Sequence, residues 1–353
     1  VVESYRRFTP PGLLWPPDET FVEYHGENNT RFQHLEKLMR YADEFGPATS
    51  IEDLIRKSQL YQALANSFDM EFCRANKFRN SGLLIWQYDD IWPAISWSLV
   101  DWYGAPKPSY YFQKRASRPR HVSADYERYL WRTGETFAAD IHLLNDDART
   151  PLNQAAWRAR ILDLSGHTLA DAQGTATVPA GGAAQVGRIE LPLSENLRGR
   201  TFFVAVELRA GDGARLSEAL YPIAVSASDE LDDYGRIFAE LDRLPPAELQ
   251  IEPEAGVSVD AAGVTHASLR LSNPTSGLAY FVRARLADEA QELRASYSDN
   301  YLALLPGETK TIEVSVEAPP AGGPQATSVP WRLVVSGWNV PESVVELGSA
   351  PRR

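Results

Sequence analysis

The sequence predicts a multidomain chain in which the C-terminal part of a (β/α) barrel precedes two antiparallel β-sandwiches. Three observations carry this expectation. Residues 1–117 combine helical periodicity with one apolar run, Leu-Leu-Ile-Trp-Gln-Tyr at 83–88. After Arg115 the apolar period drops to two, in short runs separated by Gly, Asp, Asn and Pro. An acidic stretch ending in Pro245-Pro246 then divides the alternating region.

In chain order, a first helix is expected over residues 30–45, stopped by Gly46-Pro47. A second begins at Ser50, an N-cap with Asp53 three residues on in a capping-box variant. Ile51, Leu54, Ile55, Tyr61, Leu64, Phe68 and Phe72 keep helical spacing and define one buried face. Asn80-Ser81-Gly82 is a turn, and 83–88 reads as a strand buried on both faces, which implies a parallel sheet with helices outside. One such strand cannot close a sheet, whereas a complete barrel takes about 250 residues. Residues 1–117 therefore read as the last part of a barrel whose earlier strands are missing.

The all-β part divides into a sandwich at 118–226, a linker at 227–248 with a short helical turn, and a second sandwich at 249–353. Its strands are expected around Thr136 to Leu143, Thr201 to Leu208, Leu269 to Leu271, Tyr280 to Ala284, Thr311 to Val314 and Trp331 to Val335.

Composition narrows the function classes. A net charge of −12 opposes nucleic-acid phosphates and anionic lipid and suits a neutral or cationic ligand. Cys73 stands alone, so no disulfide forms within the chain, and the six histidines lack zinc spacing, so neither a metal nor a cofactor is expected. No apolar run reaches the roughly 18 residues of a membrane span. The start, VVESYRRFTPP, has neither an initiator Met nor a signal-peptide core, and reads as the interior of a longer protein.

The window GLLIWQYDDIWPAISWSLVDWYG, residues 82–104, holds four of the nine tryptophans. It resembles the last barrel strand of β-mannosidase-like enzymes of glycoside hydrolase family 2. These carry Trp-Gln-x-Asn-Asp-x-Trp-Pro, then Ser-Trp-Ser, an Asp, an aromatic residue, Gly and Lys-x-x-x-Tyr. Here the motif stands as Trp86-Gln87-Tyr88-Asp89-Asp90-Ile91-Trp92-Pro93, Ser96-Trp97-Ser98, Asp101-Trp102-Tyr103-Gly104 and Lys107-Pro108-Ser109-Tyr110-Tyr111. Ser58-Gln59-Leu60-Tyr61-Gln62-Ala63 with Glu71 and Arg74 is similar to the helix before that strand. Tyr297-Ser298-Asp299-Asn300-Tyr301 through Leu305-Pro306-Gly307-Glu308 is similar to a run in the family's C-terminal immunoglobulin-like domain. One departure stands out: Asp89 replaces the usual Asn.

The resemblance implies a TIM barrel end followed by immunoglobulin-like sandwiches. It also implies a parent protein that is an exo-acting retaining β-glycosidase, most like β-mannosidase, acting on terminal nonreducing β-linked sugars. Such enzymes need two carboxyl groups about 5–5.5 Å apart, one as acid/base and one as nucleophile. The family supplies both as glutamates, and neither stands in its place here. Asp43-Glu44-Phe45-Gly46 imitates the nucleophile segment but falls at a helix end, one helix before the last strand. Glu3-Ser4 follows Val1-Val2, which offers a strand end, but the next residues look like the stretch beyond the nucleophile loop. Both glutamates are expected upstream of Val1, leaving this chain inactive alone and partnered by the missing N-terminal part of the same protein.

For substrate binding the candidates are Trp86, Asp89, Asp90 and Trp92. An indole face stacks on the C–H side of a sugar, and carboxylates accept its hydroxyls. Trp92 and Trp97 fit core packing equally well, and at least one of the two aspartates is expected to be structural. Adjacent strand residues point to opposite faces, so Asp89 and Asp90 are not a catalytic pair. His25 is expected on a loop, Lys107 and Tyr110 as anchors of the final barrel helix, and Asp299 and Asn300 as a turn. Two alternatives stay open: an exo-β-glucosaminidase, whose amino sugar the extra carboxylate of Asp89 favours, and a noncatalytic carbohydrate-binding or structural module. Exposed coplanar aromatics among Trp131, Trp157, Trp331 and Trp338 would mark the binding module.

Overall fold

The computed structural model describes residues 1–26, 34–228, 236–292, 294–317 and 331–348. They divide into two compact units, Val1–Trp102 with Pro106–Arg243 and Tyr103–Ala105 with Leu244–Arg353.

The first unit opens with five helices: α1 Val2–Phe8, α2 Glu19–His25, α3 His34–Asp43, α4 Ile51–Ala75 and α5 Pro108–Ala116. Their ends follow local chemistry. The Asp18 carboxylate accepts from Phe21 N and starts α2. Ser50 Oγ accepts from Asp53 N at 3.2 Å and starts α4 where the capping pattern places it. Pro108 at the first position starts α5. The helix expected over 30–45 is seen from His34, residues 30–33 lying outside the described ones, and it gives way to Gly46 at φ +88°. Val1 and Val2 do not end a strand; Val2 is the first residue of α1, with Tyr5 N donating to Val1 O.

Residues 83–88, expected as a strand buried on both faces, are extended but form no strand. A strand exists only through its neighbours, and among the described residues 83–86 make no backbone hydrogen bond, only the carbonyls of Gln87 and Tyr88 being met, by Leu99 and Val100. Burial alternates instead. Leu83, Ile85 and Gln87 are half-buried, whereas Leu84, Trp86 and Tyr88 are 96%, 75% and 61% exposed. The helical region accordingly contains no sheet, and the only parallel ladder among the described strands is the two-residue pairing of Leu130–Trp131 with Ala224 and Val225.

After α5 the chain builds a sandwich from β1 Arg120–Asp125, β2 Leu130–Trp131, β3 Thr136–Asn145, β4 Leu152–Asp163, β5 Thr168–Val178, β6 Ala183–Pro192, β7 Thr201–Arg209 and β8 Arg215–Val225. One sheet runs β1-β3-β6 and the other β2-β8-β7-β4-β5. Alternate residues of both sheets, among them Phe137, Ile141, Ile161, Phe202, Val204 and Ile223, meet in a dry core. Trp157 lies in a slot between Gly174 and Gly187. A Cβ on Gly187 would overlap its Cη2 and Cζ2 atoms, and one on Gly174 would stand 3.0 Å from Nε1. Gly187→Ala is expected to destabilise this unit by about 1–3 kcal/mol through overpacking, read as a lower denaturant midpoint at unchanged m-value.

Residues 236–243, eight of the 22 residues of the stretch expected to be a linker, pack as a strap within the first unit. Arg236 N and Phe238 N donate to the carbonyls of Asp43 and Glu44 at 2.9 and 2.6 Å. The Phe238 ring stacks on Phe45 at 5.5 Å. Glu240 binds Arg200 at 2.8 Å and also accepts from Thr201 N.

The second unit is an antiparallel sandwich of β9 Gln250–Val259, β10 Thr265–Ser272, β11 Ala279–Leu286, β12 Ala295–Tyr297, β13 Leu302–Leu304, β14 Thr309–Val316, β15 Trp331–Ser336 and β16 Ser343–Gly348. Its sheets run β12-β14-β10-β9 and β13-β11-β15-β16 around Leu269, Leu271, Val282, Leu304, Ile312 and Leu333. Asn300 clamps the backbone as its side-chain chemistry suggests: Oδ1 accepts from Ala284 N at 2.8 Å and Nδ2 donates to Ala284 O at 2.7 Å. The sandwich tryptophans Trp131, Trp157, Trp331 and Trp338 are all core residues, 6–8% exposed. They form no exposed aromatic platform.

Candidate functional site

The site is built on the segment after α4. Leu83 lines a cavity of about 240 Å³ with Met70, Cys73 and Arg74 of α4, which fixes the direction of the segment's inner side chains. Side chains of an extended chain alternate, so Leu84, Trp86 and Tyr88 stand on the opposite face. The Trp86-Gln87 peptide is cis. Beyond Tyr88 the chain returns on itself: Leu99 N donates to Gln87 O and Tyr88 O, both at 3.0 Å, and Val100 N donates to Tyr88 O at 2.8 Å. Gln62 of α4 holds this return by donating to the carbonyls of Trp97 and Ser98.

The two adjacent carboxylates diverge sharply in environment. Asp90 is 4% exposed. Ser96 Oγ donates to its Oδ1, and Lys107 Nζ lies 4.0 Å from its Oδ2. Lys107 in turn donates to Ser98 Oγ at 2.7 Å and Ser96 O at 3.2 Å. This polar knot ties the segment to the start of α5, and it removes Asp90 from the surface. Lys107 thus anchors the helix, as expected of it. Asp89 is exposed and makes no hydrogen bond or ion pair among the described residues; only its backbone is held, in a bridge to Val100.

Trp86 presents its ring to the outside, whereas Trp92 is engaged. Its indole stacks on His25 at 5.3 Å and 15°, and Tyr24 meets it edge-on at 6.1 Å. His25 is not on a loop: it is the last residue of α2, and its Nδ1 donates to Pro93 O at 2.9 Å. Its own carbonyl accepts from Ile95 N at 2.8 Å. The helix end therefore sets the position of the 92–95 turn. Trp97 is half-buried.

Glu44 is 5% exposed under the strap, where burial pushes its carboxyl up against the weaker effect of a backbone hydrogen bond from Ile237. Glu3 lies in the first turn of α1. Among the described residues no three metal-ligating side chains cluster. No helix of the described chain is long and apolar enough to cross a membrane.

Sequence reading missed a buried polar junction that holds α4 to the first sandwich. Glu71 Oε1 accepts from His121 Nε2 and Oε2 from Tyr221 OH, both at 2.7 Å. Burial and the Glu71 charge push the Tyr221 phenol far up, so it stays a donor. The signal was present as Glu71 on the apolar side of α4, without a visible partner, since His121 and Tyr221 are distant in sequence.

The chain is homologous to exo-β-D-glucosaminidases and β-mannosidases of glycoside hydrolase family 2, and its second sandwich is of the Ig-like kind. Residues 232–340 match the family model of the exo-β-D-glucosaminidase Ig-fold domain. The chain is 25% identical to the exo-β-D-glucosaminidase of Streptomyces avermitilis over 366 residues, covering 98% of this chain and 38% of that protein. It is 30% identical to β-mannosidase B of Aspergillus niger over 119 residues, covering 33% of this chain and 14% of that protein. The Amycolatopsis orientalis exo-chitosanase structure superposes with a TM-score of 0.79 at 20% identity, over 98% of this chain and 41% of that one. That of the Dictyoglomus thermophilum β-D-mannosidase gives 0.71 at 24%, over 97% and 36%. These structural likenesses show the fold. The chain spans 32–38% of the length of the exo-glucosaminidases it matches.

Proposed function

We propose that the chain forms the C-terminal portion of an exo-acting retaining β-glycosidase that removes a terminal nonreducing β-linked sugar, a mannoside or a glucosaminide. In this reading 83–88 is the closing strand of a TIM barrel. The observation that carries it is the exposure of Leu84, Trp86 and Tyr88 on an extended segment without sheet neighbours. Large rings and an aliphatic side chain in that setting leave several hundred Å² of apolar surface that a packed barrel would cover.

Trp86 then supplies the platform against which a pyranose stacks, and Asp89 a carboxylate at its edge. Asp90 holds the loop through Ser96 and Lys107. Trp92 braces the loop against His25 instead of binding sugar directly. The acid/base and nucleophile belong to parts of the protein outside these 353 residues, in keeping with the share of its relatives that the chain spans. The mannoside preference implied by the motif resemblance is not favoured over the alternative, since the relatives matched over 92–98% of the chain are exo-glucosaminidases.

The test compares the full polypeptide carrying these residues with the 353-residue chain, using p-nitrophenyl β-mannoside and β-glucosaminide. Retaining hydrolysis by the full polypeptide and none by the isolated, folded chain is expected. Trp86→Ala in the full polypeptide should lower kcat/KM roughly 10- to 100-fold. Turnover by the isolated chain would remove the assignment of the catalytic groups elsewhere.

A further inference from the structure

We propose that residues 236–243 are a proton-gated latch on the first unit, closed while the Glu44 carboxyl holds its proton and released when that carboxyl ionises. The device stands apart from the Trp86 face and does not rest on the glycosidase reading.

The strap closes over the end of α3. The Phe238 ring lies on the fully buried Phe45, and the amides of Arg236 and Phe238 bond the carbonyls of Asp43 and Glu44. Ile237 N donates to the Glu44 carboxyl itself, so the strap holds that group out of water. The other carboxyl oxygen, Oε2, is buried with no hydrogen-bond partner among the described residues. A buried oxygen without a donor is costly on a carboxylate and much less so on a neutral acid. The cations of the surrounding elements are committed to other acids. Arg236 of the strap lies 3.6 Å from Asp43, and Arg200 binds Glu240 at 2.8 Å. On α4, Lys57 lies 3.1 Å from Asp53 and 3.6 Å from Asp242, and Arg56 lies 2.7 Å and 3.8 Å from the same two acids. Arg40 draws the Glu44 carboxyl toward its charged form and Asp43 away from it, but burial outweighs both and pushes it up. The Tyr129 phenol, whose ring meets Phe238 edge-on, is pushed up to about 12, chiefly by burial, and stays neutral while Glu44 titrates. The closed strap is also strained where Arg236 takes a φ of +62°, a left-handed conformation that opening relieves. A raised acid favours the closed state fully below its ordinary value of about 4.3, and that contribution is lost as pH rises through the raised closed-state value. Opening adds the eight residues of the strap to the connection that enters the second unit at Leu244.

The experiment is amide hydrogen exchange on the 353-residue chain from about pH 5 to about pH 8, corrected for the intrinsic pH dependence of exchange. It is read at Arg236, Ile237 and Phe238, with Ile141 and Val204 of the first sandwich core as internal references. Protection of the three strap amides should fall about tenfold or more across this range while the references hold. Glu44→Gln, uncharged and of the same shape, should keep the strap closed throughout and abolish the fall. Strap protection that does not change with pH in the wild type, or a fall that persists in Glu44→Gln, would overturn the proposal. Where Glu44→Gln does not fold, a carbon-13 NMR titration of the wild-type Glu44 carboxyl decides. Ionisation in step with loss of strap protection supports the latch, and ionisation in the ordinary carboxylate range with the strap still protected overturns it.

Discussion

Replacing Glu71 with alanine is expected to destabilise the first unit by about 3–5 kcal/mol, the cost of breaking a buried charged hydrogen-bonded group on one side only. Glu71 is 4% exposed and His121 fully buried. Without the carboxylate, the His121 Nε2–H and the Tyr221 hydroxyl lose the acceptor that both now share at 2.7 Å, and water cannot replace it. His121 Nδ1 is already unpartnered, so the ring has no alternative bond to fall back on. The unfolding midpoint of a unit this size should drop by roughly 10 °C. Glu71→Gln, which keeps an acceptor and the shape, should cost clearly less. Calorimetry on the two variants decides the matter: equal losses would mean that the site is a matter of packing alone, and a loss below about 1 kcal/mol would mean that the junction contributes little.

Lys57→Met should be nearly as costly, about 3 kcal/mol. Lys57 is 2% exposed, and its ammonium donates to the carbonyls of Gly46 and Pro47, both at 3.1 Å, while pairing with Asp53 at 3.1 Å and Asp242 at 3.6 Å. It therefore joins α4, the end of α3 and the strap. Methionine fills the volume but leaves two carbonyls and part of the Asp53 charge unanswered. A pH signature follows. Burial opposes ionisation of Asp53, but the hydrogen bonds from Arg56 and Lys57 outweigh it and hold the carboxyl below its ordinary value. A lowered acid stabilises the fold at pH values above its unfolded pKa of about 4, and that contribution fades as pH falls through the lowered folded value. Wild type should thus lose stability on acidification below about pH 4, and Lys57→Met should lose less over the same range. Urea midpoints from pH 2 to 7 would show parallel curves if the pair were irrelevant.

These sites also show what the sequence disclosed and what it withheld. Short-range chemistry was legible: Ser50 caps α4, Gly46 ends the preceding turn, Asn300 Oδ1 accepts from the adjoining Tyr301 N, and strands such as Thr136–Asn145 and Trp331–Ser336 follow their alternation. Long-range pairing was not. The apolar spacing of α4 named Phe72 as buried, yet it is 46% exposed, while Lys57, Glu71 and Arg74 go inside because acids, carbonyls and a histidine far along the chain receive them. Residues 83–88 have the composition of a strand buried on both faces, but a ladder needs partners that composition cannot supply. At the site, the sequence separated the two aspartates from a catalytic role by alternation and expected one to be structural; which one depended on Ser96 and Lys107, whose convergence only the fold reveals. It also left Trp92 undecided, because His25 reaches it from another helix.

The uncovered ridge of Leu84, Trp86, Tyr88 and Ile91 has a practical meaning for any preparation of this chain in isolation. An extended, apolar segment with unsatisfied amides is a template for sticking to its own kind, and natural proteins blunt such edges with charge, proline or a cover. Here charge and proline arrive only at its far end, with Asp89 and Pro93. Self-association should accordingly rise steeply with concentration, and a single lysine at position 84 should act as a gatekeeper that suppresses it.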